Sequence, residues 1–140
     1  MLLVVLALGT SSAAAAGTRP ARRGGTPASV VRLFVHTAVQ RRNPSRAWSI
    51  VAPSIKVATT RKEWDAGWMR VVPVLSPRPL LVRTQVAARH RTSLLLHVGL
   101  RARGEGVDGH GVFLIGLVLR HQRWLVSYWG PAAAFSADRG

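Results

Sequence analysis

Apolar residues at Val30, Val31, Phe34, Val35 and Ala38 recur every three or four positions, which lines one side of a helix. Thr26-Pro27 supplies its start. The Thr hydroxyl caps free N–H groups, and Pro at the first helical position loses no hydrogen bond. Arg41-Arg42 stands at the other end, where cations complement the helix dipole. Asn43-Pro44 repeats the start signal for a short second helix, Pro44 to Val51, with Ala47, Trp48 and Val51 on its apolar side. Pro53 ends it, because the residue before a proline avoids helical angles. Ile55 to Ala58 reads as a short extended piece. Thr60, with Glu63 three residues later, forms a capping box for a third helix. That helix carries Trp64 and Trp68 four apart on one face, with Gly67 near its exit. Phe34, Trp48, Trp64 and Trp68 are accordingly expected in the core.

Beyond Pro73, Pro77 and Pro79 the period falls to two. Leu80, Val82, Thr84 and Val86 alternate with Leu81, Arg83, Gln85 and Ala87. Leu94, Leu96, Val98 and Leu100 alternate with Leu95, His97, Gly99 and Arg101. Phe113, Ile115, Leu117 and Leu119 form one face of a third strand. Trp124 to Trp129 is a fourth, rich in β-forming residues, and it adds Trp124 to the expected core. Arg120-His121-Gln122-Arg123 reads as a tight polar turn between the last two. The predicted class is α+β: three N-terminal helices packed on a curved, mainly antiparallel sheet of four strands with one covered face.

The flanks differ from this body, which spans residues 26–131. Residues 1–16 hold an apolar run, Leu2 to Leu8, then small residues ending in Ala14-Ala15-Ala16, the layout of a secretory signal peptide with its cleavage site. No Lys or Arg precedes the run, so only the amino terminus supplies positive charge there. The segment falls short of the about 20 apolar residues of a membrane span. The expected location is outside the cell, secreted or at the surface, with an uncleaved N-terminal anchor as the alternative. Residues 17–25 read as a flexible basic linker, and residues 132–140 as a disordered tail.

Charge narrows the function classes. The 140 residues carry 20 Lys+Arg against 5 Asp+Glu, a net +15. The cations are mostly arginine (only Lys56 and Lys62 are lysine), scattered as single residues and short pairs. Such a surface attracts polyanions nonspecifically, with affinity that falls as salt rises. Specific nucleic-acid reading would want basic residues interleaved with exposed aromatics on one face, and the aromatics here sit at core positions. With no cysteine, disulfides, thiolate metal sites and thiol nucleophiles are excluded.

Acid–base chemistry has few candidates. Glu63 is accounted for by capping, and Asp65 lies in the same helix start. No carboxylate falls in the four predicted strands, whose central core-facing positions are all apolar. Walls of that kind suit an apolar ligand better than a reaction. His97 is expected on the opposite, exposed face of its strand; His36 lies within the first helix. The loop Gly104–Gly111 contains Glu105, Asp108 and His110, which are metal-ligand types. Its glycines give no preorganised geometry, so the reading is a mobile hairpin connection, with no metal and no cofactor.

Helices first, strands later, with Ala47-Trp48, Trp64-Asp65-x-Gly67-Trp68 and the run Trp124-Leu125-Val126-Ser127-Tyr128-Trp129-Gly130-Pro131, resembles the nuclear transport factor 2-like (NTF2-like) superfamily. That superfamily includes the SnoaL-like polyketide cyclases and ketosteroid isomerase, and the likeness covers about residues 28–131. It is most apparent with small exported actinobacterial members without an assigned activity. The resemblance implies a cone-shaped fold. Enzymes of this kind use an acidic residue or a His–Asp pair inside the cone, and Ser127 stands where many relatives carry an acidic residue. The expected function is a non-catalytic domain that binds a small apolar ligand or a partner protein. The alternative is a SnoaL- or ketosteroid-isomerase-like enzyme using a pocket His with Asp65.

The signal pattern makes a direct prediction. The exported protein should begin near Gly17, as read by intact-mass measurement of the extracellular fraction. An intact Met1 there would favour the anchor.

Overall fold

The computed structural model describes residues 25–69, 72, 78–104 and 111–132. The predicted signal peptide, most of the linker, the tail beyond Ala132 and the loop residues Glu105, Asp108 and His110 lie outside the described residues.

Helix α1 spans Pro27–Phe34, with Pro27 at its first position and the Thr26 hydroxyl accepting from the Ser29 backbone N–H at 3.2 Å. The chain then widens into a π-helical turn, Val35–Val39, closed by the Gln40 N–H to the Val35 carbonyl at 2.9 Å. The Thr37 hydroxyl, buried in this turn, donates to the Leu33 carbonyl at 2.6 Å. A side chain inserted into the helical ladder in this way is an ordinary cause of local rewinding. The predicted stripe survives it, since Val30, Val31, Phe34, Val35 and Ala38 are all buried.

Helix α2 is Pro44–Trp48, capped by the Asn43 side chain, which accepts from the Arg46 N–H at 3.0 Å. It ends three residues before the expected Val51. The backbones of Ile50 and Ala52 are claimed by Val126, which donates to the Ile50 carbonyl at 2.9 Å and accepts from the Ala52 N–H at 2.7 Å. Val51 thereby forms a parallel bridge to Val126. The extended piece expected over Ile55–Ala58 does not form: a 3₁₀ turn, Pro53–Ile55, runs into further turns, and Ala58 has a positive φ of 53°.

Helix α3 is Arg61–Asp65, with both halves of the Thr60/Glu63 capping box in place. Its exit corrects one core assignment. Gly67 adopts φ +87°, its N–H bonds to the Trp64 carbonyl, and the Trp68 N–H reaches back to the Glu63 carbonyl, each at 2.9 Å. This is a Schellman ending, which needs a left-handed residue and favours glycine. It turns the chain away before Trp68 can share a face with Trp64. Trp68 is 75% exposed, whereas Trp64 has no exposure.

The sheet contains β1 (Leu80–Arg89), β2 (Ser93–Ala102), β3 (Val112–Arg120) and β4 (Arg123–Pro131), in that spatial order with every neighbour antiparallel. The β3–β4 turn has His121 and Gln122 both at positive φ, 46° and 62°, the handedness a two-residue hairpin prefers. Register shifts at Ala87 and Ser127 mark one extra residue in β1 and in β4. The protein is thus α+β, with short helices against one face of a four-stranded antiparallel sheet.

That face supplies Leu94, Leu96, Val98 and Leu100 from β2, Ile115 and Leu117 from β3, and Val126 and Trp129 from β4. Trp129 stacks on Phe113 at 4.9 Å and meets Phe34 of α1 at 5.5 Å. Trp64 meets Trp48 edge-on at 5.5 Å and donates its Nε1–H to the Pro44 carbonyl at 2.7 Å, which ties α3 to α2. Trp48 and Trp124 are only partly buried and pack at the margin of this cluster.

The opposite face is not wholly exposed. Leu114 is buried there, beside Gly130, its register partner. Tyr128 lies close along its own strand, so that a Cβ at Gly130 would stand 2.6 Å from the Tyr128 hydroxyl.

The contrast between two tryptophans is testable by urea unfolding. Trp64→Ala should cost about 3–5 kcal/mol, whereas Trp68→Ala should stay within about 0.5 kcal/mol of the parent.

Candidate functional site

Each residue proposed for acid–base work can now be placed. Asp65 is exposed at the end of α3, and both its oxygens accept from Arg61 Nε, at 2.8 and 2.9 Å. The Arg61 guanidinium also lies 5.6 Å from the centre of the Trp48 ring, which Lys56 approaches at 4.4 Å. Burial, and then the charge of Arg61, hold the Lys56 ammonium below its usual pKa. Asp65 therefore anchors a surface cluster of cations and aromatic ring.

His97 sits on β2 opposite Gln85 and Leu114, between the core-facing residues Leu96 and Val98. Successive strand residues point to opposite faces, so its imidazole faces away from the helices and is half-buried there. Trp64 fixes α3 on the core side. The sheet lies between Asp65 and His97, and the structure does not bring them together. His36 is exposed on the π-helical turn. Among the described residues, no three His, Cys, Asp or Glu side chains are grouped to hold a metal ion.

The apolar walls expected to line a pocket pack on the helices instead. Val98, Ile115, Leu117 and Val126 have no exposure. Among the described residues, two cavities lie at the margins of the helical layer. The first, about 320 Å³, is lined by Arg41, Thr59, Glu63, Gly67, Trp68 and Met69 among others. Its principal polar groups already have partners. Arg41 donates from Nε to the Gly67 carbonyl at 2.9 Å, from Nη1 to the Ala38 carbonyl and from Nη2 to the Val72 carbonyl. Glu63 accepts from the Thr60 N–H at 2.7 Å.

Arg41 reaches its three carbonyls because its own backbone is left-handed, φ 55°, where the helix ends. That conformation costs a non-glycine residue about 1–2 kcal/mol, and the three charge-assisted bonds offset it. Burial pushes the guanidinium below its ordinary pKa. The group joins the end of the π-helical turn to the exit of α3 and to Val72, which makes it a structural clamp.

The second cavity, about 420 Å³, lies between α1, α2 and the start of β4. Val30, Leu33, Ile50 and Trp124 form its apolar wall, with Ser29, Arg46 and Arg123 supplying polar groups. Both arginines are exposed side chains. The buried Nε1–H of Trp124 has no acceptor among the described residues; that of Trp129 in the core has none either.

Neither the clamp nor the second cavity was apparent from local pattern. The cap at Asn43 does place Arg46 in the first turn of α2, and the hairpin turn places Arg123 at the start of β4. Their convergence depends on the Val51–Val126 bridge, which joins the two segments. Comparison with protein-family models, with curated proteins and with solved structures finds no match.

The clamp predicts an asymmetry between cations. Arg41→Lys should lose about 1.5–3 kcal/mol of stability, close to the loss for Arg41→Ala, because one ammonium cannot span three separated carbonyls. Urea midpoints measure both. A lysine variant with the parent midpoint would refute the clamp.

Proposed function

We propose that this chain is an exported, non-catalytic NTF2-like domain that binds a small, largely apolar ligand or a partner protein. The observation that carries the reading is the filled apolar layer between helices and sheet. General acid–base catalysis needs a titratable group within reach of the substrate in a shielded site. The core-facing positions of β2 and β3 are Leu94, Leu96, Val98, Leu100, Phe113, Ile115 and Leu117, with no carboxylate or imidazole among them. Asp65 is held by Arg61, and His97 faces away from the helices.

The family assignment rests on the residues that carry the resemblance and on an element order compatible with it. Short helices come first, then four antiparallel strands with extra residues at Ala87 and Ser127. Export rests on the pattern of residues 1–16. No described helix is long and apolar enough to cross a membrane. The net charge of +15 adds nonspecific attraction for polyanions, with weak retention at low salt that is lost near physiological ionic strength.

The test pairs turnover with binding. Incubation with a β,γ-unsaturated 3-ketosteroid, followed by absorbance of the conjugated enone, should give no rate above buffer. Titration with ten-carbon apolar probes, a neutral alcohol and a carboxylate, should give saturable quenching of tryptophan fluorescence for at least one. Isomerisation that falls on Asp65→Asn or His97→Gln would overturn the reading, and the absence of binding by both probes would overturn its small-ligand form and leave the partner protein.

A further inference from the structure

We infer that the cavity between α1, α2 and the start of β4 is a binding site for an amphipathic monoanion, a small molecule with an acceptor-rich anionic head and an apolar body. This rests on the reading of the chain as a binding domain and names the ligand class and the place. The first ground is the chemistry of the lining. Val30, Leu33, Ile50 and the Trp124 ring present hydrocarbon, while the charged groups are Arg46 and Arg123, both cations. The one hydroxyl there, Ser29 Oγ, already donates to the Thr26 carbonyl at 2.8 Å.

The second ground is a local excess of donors. Arg123 stands directly across the β3–β4 ladder from Arg120, a like-charge pair that is destabilising when unrelieved. Neither guanidinium has an acceptor among the described residues. The described carboxylates, Glu63 and Asp65, belong to the capping box and to Arg61. A carboxylate is acceptor-only and can take paired N–H groups from guanidinium, so it supplies what this wall lacks.

Size and charge restrict the occupant. A cavity of about 420 Å³ lies in the lower part of the range for small-molecule sites, about 300–1,000 Å³, and suits one short apolar body. Residues 17–25 carry Arg19, Arg22 and Arg23 and no acidic residue, so that segment offers no anion to Arg46 and Arg123. A second copy of a chain of net charge +15 meets the same repulsion.

The experiment uses the full exported chain and decanoate, with decanol and acetate as controls, read by calorimetry at 0.15 M salt. Decanoate should bind more tightly than decanol, and acetate should bind weakly. Arg46→Gln and Arg123→Gln should each weaken decanoate about tenfold or more and leave decanol nearly unchanged. Both side chains are exposed, so the urea midpoints should stay at the parent value. Decanoate binding unaffected by either variant, or equal affinity for decanol, would overturn this site while leaving the binding-domain reading intact. Failure of both ten-carbon probes would overturn this site and the small-ligand form of that reading as well. Dimerisation by sedimentation that is lost in Arg123→Gln would assign the cavity to a second copy and overturn the small-anion site. Binding to phosphatidylglycerol vesicles without binding of free decanoate would overturn it in favour of a lipid surface.

Discussion

Helices of eight, five and five residues cannot persist on their own hydrogen bonds, since isolated helices shorter than about 12–15 residues are marginal in water. Each is held here by side chains that enter a common apolar layer. Phe34 pins α1 against Trp129, Ala47 and Trp48 pin α2, and Trp64 pins α3. The sheet is the surface on which all three depend. A loss in that layer therefore removes helix as well as packing, and a single buried indole such as Trp64 carries consequences for two helices at once.

The same dependence explains how the arginines divide. Where a short helix ends, its last carbonyls need donors. Arg41 meets that need at the end of the π-helical turn and also satisfies Gly67 and Val72. Arg61 spans one helical turn to Asp65 and covers Trp48. Arg46 and Arg123 meet no such structural need, yet they share one cavity. A net charge of +15 read from the sequence conceals this difference between guanidiniums that hold the backbone and guanidiniums left available to a ligand.

Signals complete within a few residues were legible. Thr26-Pro27, Asn43-Pro44 and Thr60 with Glu63 each start a helix, because a cap and its partner lie within three residues. The alternation along β2 was legible for the same reason. What local pattern could not give depends on distant backbone. α2 stops early because Val126, more than seventy residues on, takes the neighbouring backbone groups. Trp68 misled because spacing of four implies one face only while a helix continues, and the left-handed Gly67 ends it. Asp65 and His97 could each be assigned to an element, but the sheet between them is a property of the packing. Arg46 and Arg123 are 77 positions apart, and no local pattern links them.

Filling the central layer and leaving space at its margin follow from one arrangement. The indole of Trp129, stacked on Phe113 and set against Phe34, fills the β4 side of the layer even though its N–H finds no acceptor among the described residues. An unmet buried donor costs about 1–3 kcal/mol, so the burial of two rings beside it must outweigh that cost. With side chains such as Val98, Ile115, Leu117 and Val126 fully buried between the layers, open ground among the described residues lies where short helices stop. The N-terminal part of α1, the exit of α2 and the first residues of β4 bound one such gap, and its lining is hydrocarbon with cations beside it. Lengthening α2 to the Val51 expected from its sequence would require breaking the Val51–Val126 bridge that brings this end of α2 to β4. The early stop of α2 and the cavity are thus two consequences of the same backbone pairing.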